Sequence, residues 1–507
     1  MKVNRSYSFN YYLGIILSIV FTIYGELYGQ MTIASNSFIT INPGGSLFVD
    51  TELKIKSDAS GSGYLVDQTT GNSVTIDGSI SIERYIQANG WHNISIPVTS
   101  ANTSLFSSTE LVFYYDETKI MNDWNFGWVW YQGSLSPMKG YDAYLDASDI
   151  NVDYTATNST FLNTGTFTVP ITLTNVTDGE IEEHKGWNLI GNPYASPVDW
   201  LEEGGWDKSY INDAKYIWNP DADNYTIFLG GSAPLGINGG TQFIPSNQGF
   251  WVQAITNGNL SINNSSRKGI ATATPDYYKN GDYSYPIISL STYSNSLEDE
   301  TVIRFIDESS NEFDINYDAL KLNSASMVLP QISTSINELD MAINSLPILT
   351  DGIEIPLNFY CGTNGHYCIE LNETSNLNVN DKIYLFDKID KETVDLSLEE
   401  KYCFNHITNN LNKRFTIIIN PTQGQLTSIK LESPYLVFSH QNTINITKLI
   451  NEDANATVQV LNIMGQIICT KPLNQTTEKL IINAKPSYYI VRIITRNSQY
   501  NHKVFIQ

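Results

Sequence analysis

The sequence predicts an all-β protein of several domains, and three observations support this prediction. Short runs of alternating apolar and polar residues, separated by Gly, Asn, Asp and Ser, recur along the chain, as is typical of strands joined by turns. Hydrophobic residues make up 41% of the chain and charged residues only 16%, so there is ample material for apolar cores. The 507 residues also exceed one domain, and at about 100–200 residues per domain three or four are expected.

The charge balance argues against two classes of partner. The chain has 29 Lys and Arg against 53 Asp and Glu, a formal net charge of -24. A nucleic-acid-binding protein needs a basic face to neutralise phosphates, and docking on anionic lipid needs one as well. We therefore expect no nucleic acid among the partners.

Residues 1–29 have the pattern of a secretory signal peptide. Lys2 and Arg5 precede an apolar run over residues 12–24, which corresponds to the charged and apolar regions of such a leader. We place the cleavage near Gly29 and Gln30. A retained membrane anchor is the alternative, but the run is shorter than the roughly 20 residues that span a bilayer. The mature chain is expected to be secreted or held at the outer cell surface.

Residues 30–88 are predicted to form a stack of short strands. Segments such as FITI, LFVD, ELKIKS and SISIERYI alternate in polarity and are separated by Gly, Asn and Asp. This spacing is typical of a small β-solenoid.

Residues 89–275 contain an internal duplication. GWHNISIP at 90–97 matches GWNLIGNP at 186–193, and Gly140-Tyr141 matches Gly249-Phe250 further on. The matches occur in the same order with growing offsets, as expected if strands are kept while loops differ. We therefore predict two related β-units, copy one at about 90–150 and copy two at about 186–256. A short helix is also predicted over residues 196–203, with Ser196 as its cap.

Residues 276–424 are predicted to form a β-sandwich, since about seven apolar strand patterns with polar turns occur there. One or two helical turns are predicted over residues 336–343. In FYCGTNGHYC, Asn364-Gly365 is a favoured two-residue hairpin turn, which places Cys361 opposite Cys368. Opposed strand residues lie within disulfide reach, so we predict a Cys361–Cys368 bridge. Two unbridged buried thiols are the alternative.

The sequence offers little sign of catalysis, a metal or a cofactor. None of the six His lies in an H-E-x-x-H pair, and no nucleophile elbow or phosphate-binding Gly-rich loop occurs. Adjacent carboxylates point to opposite faces of a strand, so none forms a ready glycosidase pair. The acidic turn at Asp221 and Asp223 could hold calcium, but acidic turns between strands are ordinary. We predict no catalytic residues, no metal and no cofactor.

A cluster of aromatic residues is the best candidate for a ligand-binding surface. Trp124, Trp128, Trp130 and Tyr131 occur within DWNFGWVWYQG in copy one. Exposed aromatic rings stack on the faces of sugar rings, so this segment is a candidate glycan platform. Because Trp128 and Trp130 alternate along one predicted strand, they share a face, and that face could equally belong to the core.

Residues 433–507 resemble the type A C-terminal sorting domain of proteins exported by the type IX secretion system. The resemblance depends on VQVLNIMGQ with Asn462, Gly465 and Gln466, on YYIVRI beginning at Tyr488, and on the terminal KVFI beginning at Lys503. A Gly usually precedes the Tyr of the second element, where this chain has Ser487. The resemblance implies an immunoglobulin-like fold, passage across the outer membrane by the type IX machinery, and removal of the domain. Release, or attachment to surface lipopolysaccharide, would follow.

Together these observations predict an exported, non-catalytic protein with a structural or adhesive role. The alternative is a carbohydrate-binding surface module, with a glycan or a host or cell-surface molecule as its ligand. A third hypothesis is a hydrolase whose carboxylates converge from distant strands.

Overall fold

A computed structural model of the chain describes residues 29–70, 73–88, 90–106, 111–120, 124–145, 150–157, 161–174, 184–269, 285–348, 352–378, 381–408, 413–420, 435–440, 442–448, 456–473, 475, 477–496 and 499–506. The predicted signal peptide lies outside these ranges apart from Gly29. Within them the fold is all-β, as predicted, and the single α-helix, α1, spans four residues at Leu396–Glu399. Across these ranges, no helix has both the length and the apolar character needed to span a bilayer.

The N-terminal unit is a parallel β-solenoid, as the stack of short strands predicts. Its strands are β1 Gln30–Ile33, β2 Phe38–Ile41, β3 Leu47–Val49, β4 Glu52–Ile55, β5 Ser57–Asp58, β6 Gly61–Ser62, β7 Tyr64–Asp67, β8 Val74–Ile76 and β9 Ser79–Ile86. Parallel pairing joins β1 to β4 to β9, β2 to β7, and β3 to β8. Ile33, Ile55 and Ile82 are register partners along one sheet and are all buried. Because apolar residues alternate with polar ones, an isoleucine occupies the same inward-facing position in successive coils.

The duplicated region forms two sheets of the same strand order. Its strands are β10 Gly90–Ile94, β11 Ala101–Asn102, β12 Val112–Tyr115, β13 Trp128–Trp130, β14 Ser134–Leu135, β15 Tyr141–Leu145, β16 Ile150–Ala156, β17 Phe167–Ile171, β18 Trp187–Gly191, β19 Val198–Asp199, β20 Trp206–Asp207, β21 Ile211–Asn219, β22 Asn224–Leu229, β23 Leu235–Ile237, β24 Phe243–Ile244, β25 Gly249–Ala254 and β26 Gly258–Ile262. Copy one has the order β10-β15-β12-β13, and copy two repeats it as β18-β25-β21-β22 with β23 added. The small pair β11–β14 likewise recurs as β19–β24. The matches in sequence therefore correspond to matching topology.

Each copy is enclosed by an antiparallel strand pair. β16, which follows copy one, returns to pair with β9 before it. β26, which follows copy two, pairs with β17 before it. Copy one and the solenoid also share one apolar core, in which Ile80 and Ile82 lie with Ile94 and Tyr141.

The region after copy two forms a single 11-stranded sheet. Its strands are β27 Ile287–Ser294, β28 Leu297–Phe305, β29 Ala319–Leu320, β30 Gln331–Ile336, β31 Leu339–Leu346, β32 Ile353–Tyr360, β33 Gly365–Ser375, β34 Ile383–Asp387, β35 Glu392–Asp395, β36 Lys401–His406 and β37 Phe415–Ile419. The order is β35-β34-β37-β32-β30-β31-β28-β27-β33-β36, with β29 beside β31. The sheet curls until its ends face each other. The ring centroid of Phe404 on β36 lies 4.9 Å from that of Phe359 on β32 and 4.7 Å from that of Phe415 on β37.

The C-terminal unit has two sheets around one core. Its strands are β38 Tyr435–His440, β39 Thr443–Lys448, β40 Ala456–Asn462, β41 Ile467–Leu473, β42 Thr477–Ile481, β43 Ser487–Ile494 and β44 Gln499–Ile506. The sheets have the orders β38-β39-β42 and β41-β40-β43-β44. Both contribute to an apolar cluster that includes Ile444, Val460 and Val491, so this unit is a small sandwich.

The two helices predicted from local sequence are wrong. Residues 196–203 contain β19 and turns, because Val198 pairs with Ile244 and the Trp200 indole Nε1 donates to the Asp213 carbonyl at 2.8 Å. Residues 336–343 form the hairpin between β30 and β31. Its turn residues Asn337 and Glu338 have φ of 47° and 72°, and positive φ at both turn positions is typical of a tight hairpin.

Candidate functional site

The two copies contact each other through a reciprocal pair of bridges. Ile94 of copy one bridges Gln248 of copy two, and the equivalent Ile190 of copy two bridges Lys139 of copy one. The N–H of Gly191 donates to the Met138 carbonyl at 3.1 Å, and the N–H of Ser95 donates to the Asn247 carbonyl at 2.8 Å. Each bridge thus has its counterpart at the matching position, so an approximate two-fold relationship joins the copies.

One side of the copy-one sheet carries a row of aromatic rings, which we call the aromatic face: Trp91, Phe113, Trp130 and Tyr144. The centroid of Trp91 lies 5.6 Å from Phe113 and 5.2 Å from Tyr144, and Phe113 is the register partner of Trp130. Trp91 is 38% exposed and Trp130 is 55% exposed. Flat aromatic surface in contact with solvent is suited to stacking or to apolar contacts with a ligand.

The equivalent face of copy two is covered by the 11-stranded sheet. Sheet register places Trp187, Tyr216 and Ile227 at the positions of Trp91, Phe113 and Trp130. These three side chains are buried in a core shared with Val302 and other residues of the 11-stranded sheet. The Tyr216 hydroxyl also donates to the Leu320 carbonyl at 2.8 Å. The same sheet architecture thus serves for internal packing in copy two and leaves aromatic surface exposed in copy one.

The predicted Trp-rich segment divides between core and surface. Trp128 is half-buried against Tyr115 and Trp251, at centroid distances of 5.3 and 5.5 Å. The Tyr131 hydroxyl donates to the Ser134 carbonyl at 2.7 Å, and its ring stacks on Tyr141. Trp128 and Trp130 lie on the same side of the sheet, but only Trp130 of these three residues is exposed. The side chain of Trp124 lies outside the described part of the structure.

Sequence reasoning did not identify the other members of the aromatic face. Trp91, Phe113 and Tyr144 come from three separate strands and meet Trp130 only because β15 and β12 lie between β10 and β13. The available signal was the aromatic residue in each of these strand patterns, but strand order was needed to combine them.

A half-buried carboxyl group, Asp142, lies on the same side of the sheet as the aromatic face. Asp142, the register partner of Phe113, accepts a hydrogen bond from Asn93 Nδ2 at 2.9 Å. The Asn93 Oδ1 in turn accepts one from the Trp251 indole Nε1 at 3.1 Å. Removal from water raises the pKa of Asp142 to about 7. This chain of bonds connects the copy-one sheet to copy two.

The predicted Cys361–Cys368 bridge is wrong. Cys368 is bonded to Cys403, its register partner on β36, and Cys361 is a free, buried thiol at the end of β32. The reason is that β32 and β33 are not paired with each other: β32 lies between β30 and β37, and β33 between β27 and β36. The Asn364-Gly365 segment therefore crosses between distant strands of the sheet and does not close a hairpin.

The residues that the structure describes provide one group of three metal-capable side chains, His366, Cys368 and Cys403. Its two sulfur atoms form the disulfide, so they are not thiolate ligands. At the acidic turn, Asp221 and Asp223 are not part of any such group, and the Asn219 Oδ1 accepts from the Asp221 N–H at 3.1 Å.

The residues that carry the predicted sorting motif lie at one end of the C-terminal sandwich. Asn462 Oδ1 accepts from the N–H groups of Met464 and Gln466 at 3.0 and 2.9 Å, and Gly465 has a φ of 80°. On the neighbouring strands, Lys503 Nζ lies 4.1 Å from the centroid of the Tyr488 ring. The turn also presents Ile463 and Met464 to solvent, at 73% and 76% exposure.

The sequence model of a family described as "Domain of unknown function (DUF8693)" matches residues 16–419. This match ends at the last residue of β37 and does not include the C-terminal sandwich. A solved structure titled "Biofilm associated protein - BSP domain" is 10% identical, with 68% of this chain and 81% of that chain covered and a TM-score of 0.13. A likeness of that size carries no argument about fold or function. No curated protein matches the sequence.

Proposed function

The chain belongs to the family described as a domain of unknown function (DUF8693), and we propose that this member is an exported surface protein with a structural or adhesive role. In this proposal the C-terminal sandwich is the sorting domain that the type IX secretion machinery recognises. The mature protein is then released or attached to surface lipopolysaccharide.

The observation that carries the proposal is the independence of the C-terminal sandwich. The apolar cluster of this unit is built from residues between Tyr435 and Ile506. A unit with its own core can be removed without opening a neighbouring core. Its motif turn, with Ile463 and Met464 exposed, leaves apolar surface available for contact with other proteins. These properties suit a domain that acts in export and is then cleaved.

A structural or adhesive role is supported by the packing of the other units. The solenoid shares a core with copy one, and copy two shares a core with the 11-stranded sheet. The two copies are joined by their reciprocal bridges, so contacts link all four units in sequence, as a stiff surface-exposed body requires.

The export proposal is tested in a bacterium that has a type IX system. We compare the full chain with a variant lacking residues 433–507, and measure surface exposure by protease accessibility and mature mass by mass spectrometry. We expect the full chain outside the outer membrane with its C-terminal unit removed, and the truncated chain retained in the periplasm. Equal surface delivery of both chains would contradict the proposal.

A pair of point variants refines that test. Gly465→Val strains the motif turn, because a φ of 80° is unfavourable for a β-branched residue. Ile481→Ala, at a 70% exposed residue of the same unit outside the motif, is the matched control. We expect export to fall for Gly465→Val and to remain unchanged for Ile481→Ala.

The second candidate function is carbohydrate binding through the aromatic face. The observation that favours it is the exposure of Trp130 and Trp91 beside Phe113 and Tyr144. Several rings on one flat sheet can contact consecutive units of a polysaccharide. A glycan array with the leaderless protein tests this function.

A further inference from the structure

A cavity of about 510 Å³, half open to solvent, lies between copy two and the 11-stranded sheet. That volume falls within the range of roughly 300–1,000 Å³ that is usual for small-molecule sites, which occur preferentially at domain interfaces. The cavity is lined by Asn219, Ala222, Asn224, Tyr225, Thr226, Asn238, Gly239, Ser289, Ser296, Glu298, Glu300, Asn372 and Glu373. It contains no member of the aromatic face.

The two walls of the cavity are held together by a buried ion pair and its hydrogen bonds. Asp299 pairs with Lys321, and both side chains are almost completely buried. The same carboxylate accepts hydrogen bonds from Asn224 Nδ2 at 2.9 Å and Asn238 Nδ2 at 3.0 Å. Copy-two residues are thereby fixed to the 11-stranded sheet, and the cavity is formed before any ligand arrives.

The lining side chains are also positioned by contacts within each wall and across the interface. Glu300 accepts a hydrogen bond from Ser289 Oγ at 2.6 Å and from the Asn238 N–H at 3.1 Å. Tyr225 forms an edge-to-face pair with Trp218 at a centroid distance of 5.1 Å. Preorganised polar groups lose little conformational entropy when a ligand binds.

The chemistry of the lining identifies the class of ligand. Eight of the lining residues carry an amide or a hydroxyl group, three are Glu, and none is Lys, Arg or His. Such side chains can exchange hydrogen bonds with a molecule rich in hydroxyl groups. The Glu carboxylates repel an anion. Within the described residues, they form no metal-capable group of three, so a shared metal ion fits the cavity less well than an organic ligand.

We propose that this cavity binds one sugar unit, neutral or amine-bearing but not acidic. The proposal rests on the second candidate function, carbohydrate binding, and assigns it a site separate from the aromatic face. The aromatic face would contact an extended polysaccharide, while the cavity selects a single residue or chain end by its hydroxyl groups.

The test uses the leaderless full chain and a panel of glucose, galactose, mannose, N-acetylglucosamine, glucosamine, glucuronate and calcium chloride. Binding is measured by calorimetry and by the increase in melting temperature, since a ligand that binds only the folded state stabilises it. We expect at least one neutral or amine-bearing sugar to bind and glucuronate not to bind. Absence of binding by every sugar, equal binding of glucuronate, or binding by calcium alone would overturn the proposal.

Three variants locate the site. Glu298→Ala removes an exposed carboxylate of the lining, and we expect about tenfold weaker binding for the loss of one charged hydrogen bond. Ala222→Trp fills the cavity from the tip of the copy-two hairpin, and we expect binding to be lost. Glu354→Ala, at an exposed carboxylate of β32 outside the lining, is the control and should bind as the wild type does.

The two carbohydrate proposals fail separately. Unchanged sugar binding in both Glu298→Ala and Ala222→Trp would overturn the cavity site. If Ala222→Trp does not fold, Glu298→Ala against Glu354→Ala decides the question. Trp130→Ala should leave sugar binding in the cavity unchanged. If that variant still retains polysaccharide, the result contradicts glycan binding by the aromatic face and leaves the cavity site standing.

Discussion

Gly140 lies directly against the carbonyl group of Ile190. A Cβ atom at position 140 would be 2.6 Å from the Ile190 oxygen, and the Gly140 N–H donates to the adjacent Leu189 carbonyl at 3.1 Å. At the equivalent position of copy two, a Cβ atom on Gly249 would be 2.8 Å from the Asn93 carbonyl carbon. The glycine of each aromatic-Gly motif therefore permits the close approach of the other copy.

Gly140→Ala and Gly249→Ala should each destabilise the protein. The added methyl group meets backbone atoms, which cannot move aside as a flexible side chain does, so we expect a loss of about 2–4 kcal/mol in the free energy of unfolding. Urea denaturation measures this loss. Gly90→Ala is the control, because its added Cβ comes no closer than 3.9 Å to another atom. Equal stability of all three variants would contradict the reciprocal contact.

Trp128→Ala and Trp130→Ala should affect different properties: the first should lower stability, and the second should weaken polysaccharide binding. Trp128 packs against Tyr115 and Trp251, and its loss should lower the free energy of unfolding by roughly 2–3 kcal/mol. Trp130 is 55% exposed, so its loss should change stability little and weaken retention on a polysaccharide. Denaturation curves and affinity electrophoresis check these outcomes. Full retention by a folded Trp130→Ala protein would exclude that residue from glycan binding.

Cys403→Ser should destabilise the protein, because it removes the Cys368–Cys403 disulfide. Cys361→Ser should leave that disulfide intact, because Cys361 is a free thiol. The Cys368–Cys403 bond joins residues 35 positions apart, and chain entropy gives it about 3–4 kcal/mol of stabilisation. Mass spectrometry of non-reduced peptides and urea denaturation test both variants. A peptide linking Cys361 to Cys368 would contradict the assignment.

Asp142→Asn should remove one pH-dependent contribution to stability. The carboxyl group of an unfolded chain ionises near pH 4, while burial raises the pKa of Asp142 in the folded protein to about 7. Between these values the folded state binds the extra proton, so this contribution is full below about pH 4 and declines as the pH rises to 7. We expect the variant to be more stable than the wild type at pH 8, by on the order of 3 kcal/mol, and similar near pH 4. Parallel pH profiles of the two proteins would contradict this.

The solenoid and the duplication were predictable because their signals are local. The residues of β1, β4 and β9 alternate in polarity within each strand, and the two Gly-Trp segments align without a gap and share Gly, Trp, Ile and Pro. Period-two patterns determine which side chains face inwards without knowledge of strand order. The all-β class followed from the same patterns.

Features that depend on distant pairing were not predictable in this way. Val198 has the local surroundings of a helix but pairs with Ile244, 46 positions along the chain (244 − 198). Cys368 bonds Cys403 because β33 and β36 are neighbours, an arrangement that local turn chemistry did not indicate. The aromatic face required the order of four strands, so only Trp130 was identified from the sequence.

The strand pairs that enclose the two copies determine how the protein responds to a pulling force. In the pair β9–β16, Ile80 is opposite Ala156, so the chain enters and leaves at the same end. In β17–β26, Phe167 is opposite Ile262, and the same geometry recurs. Tension between the chain ends therefore breaks the hydrogen bonds of each pair one after another, beginning at the end where the chain enters and leaves. In single-molecule stretching, each copy should extend only after its own pair has opened, and force should be released in separate steps rather than in one rupture.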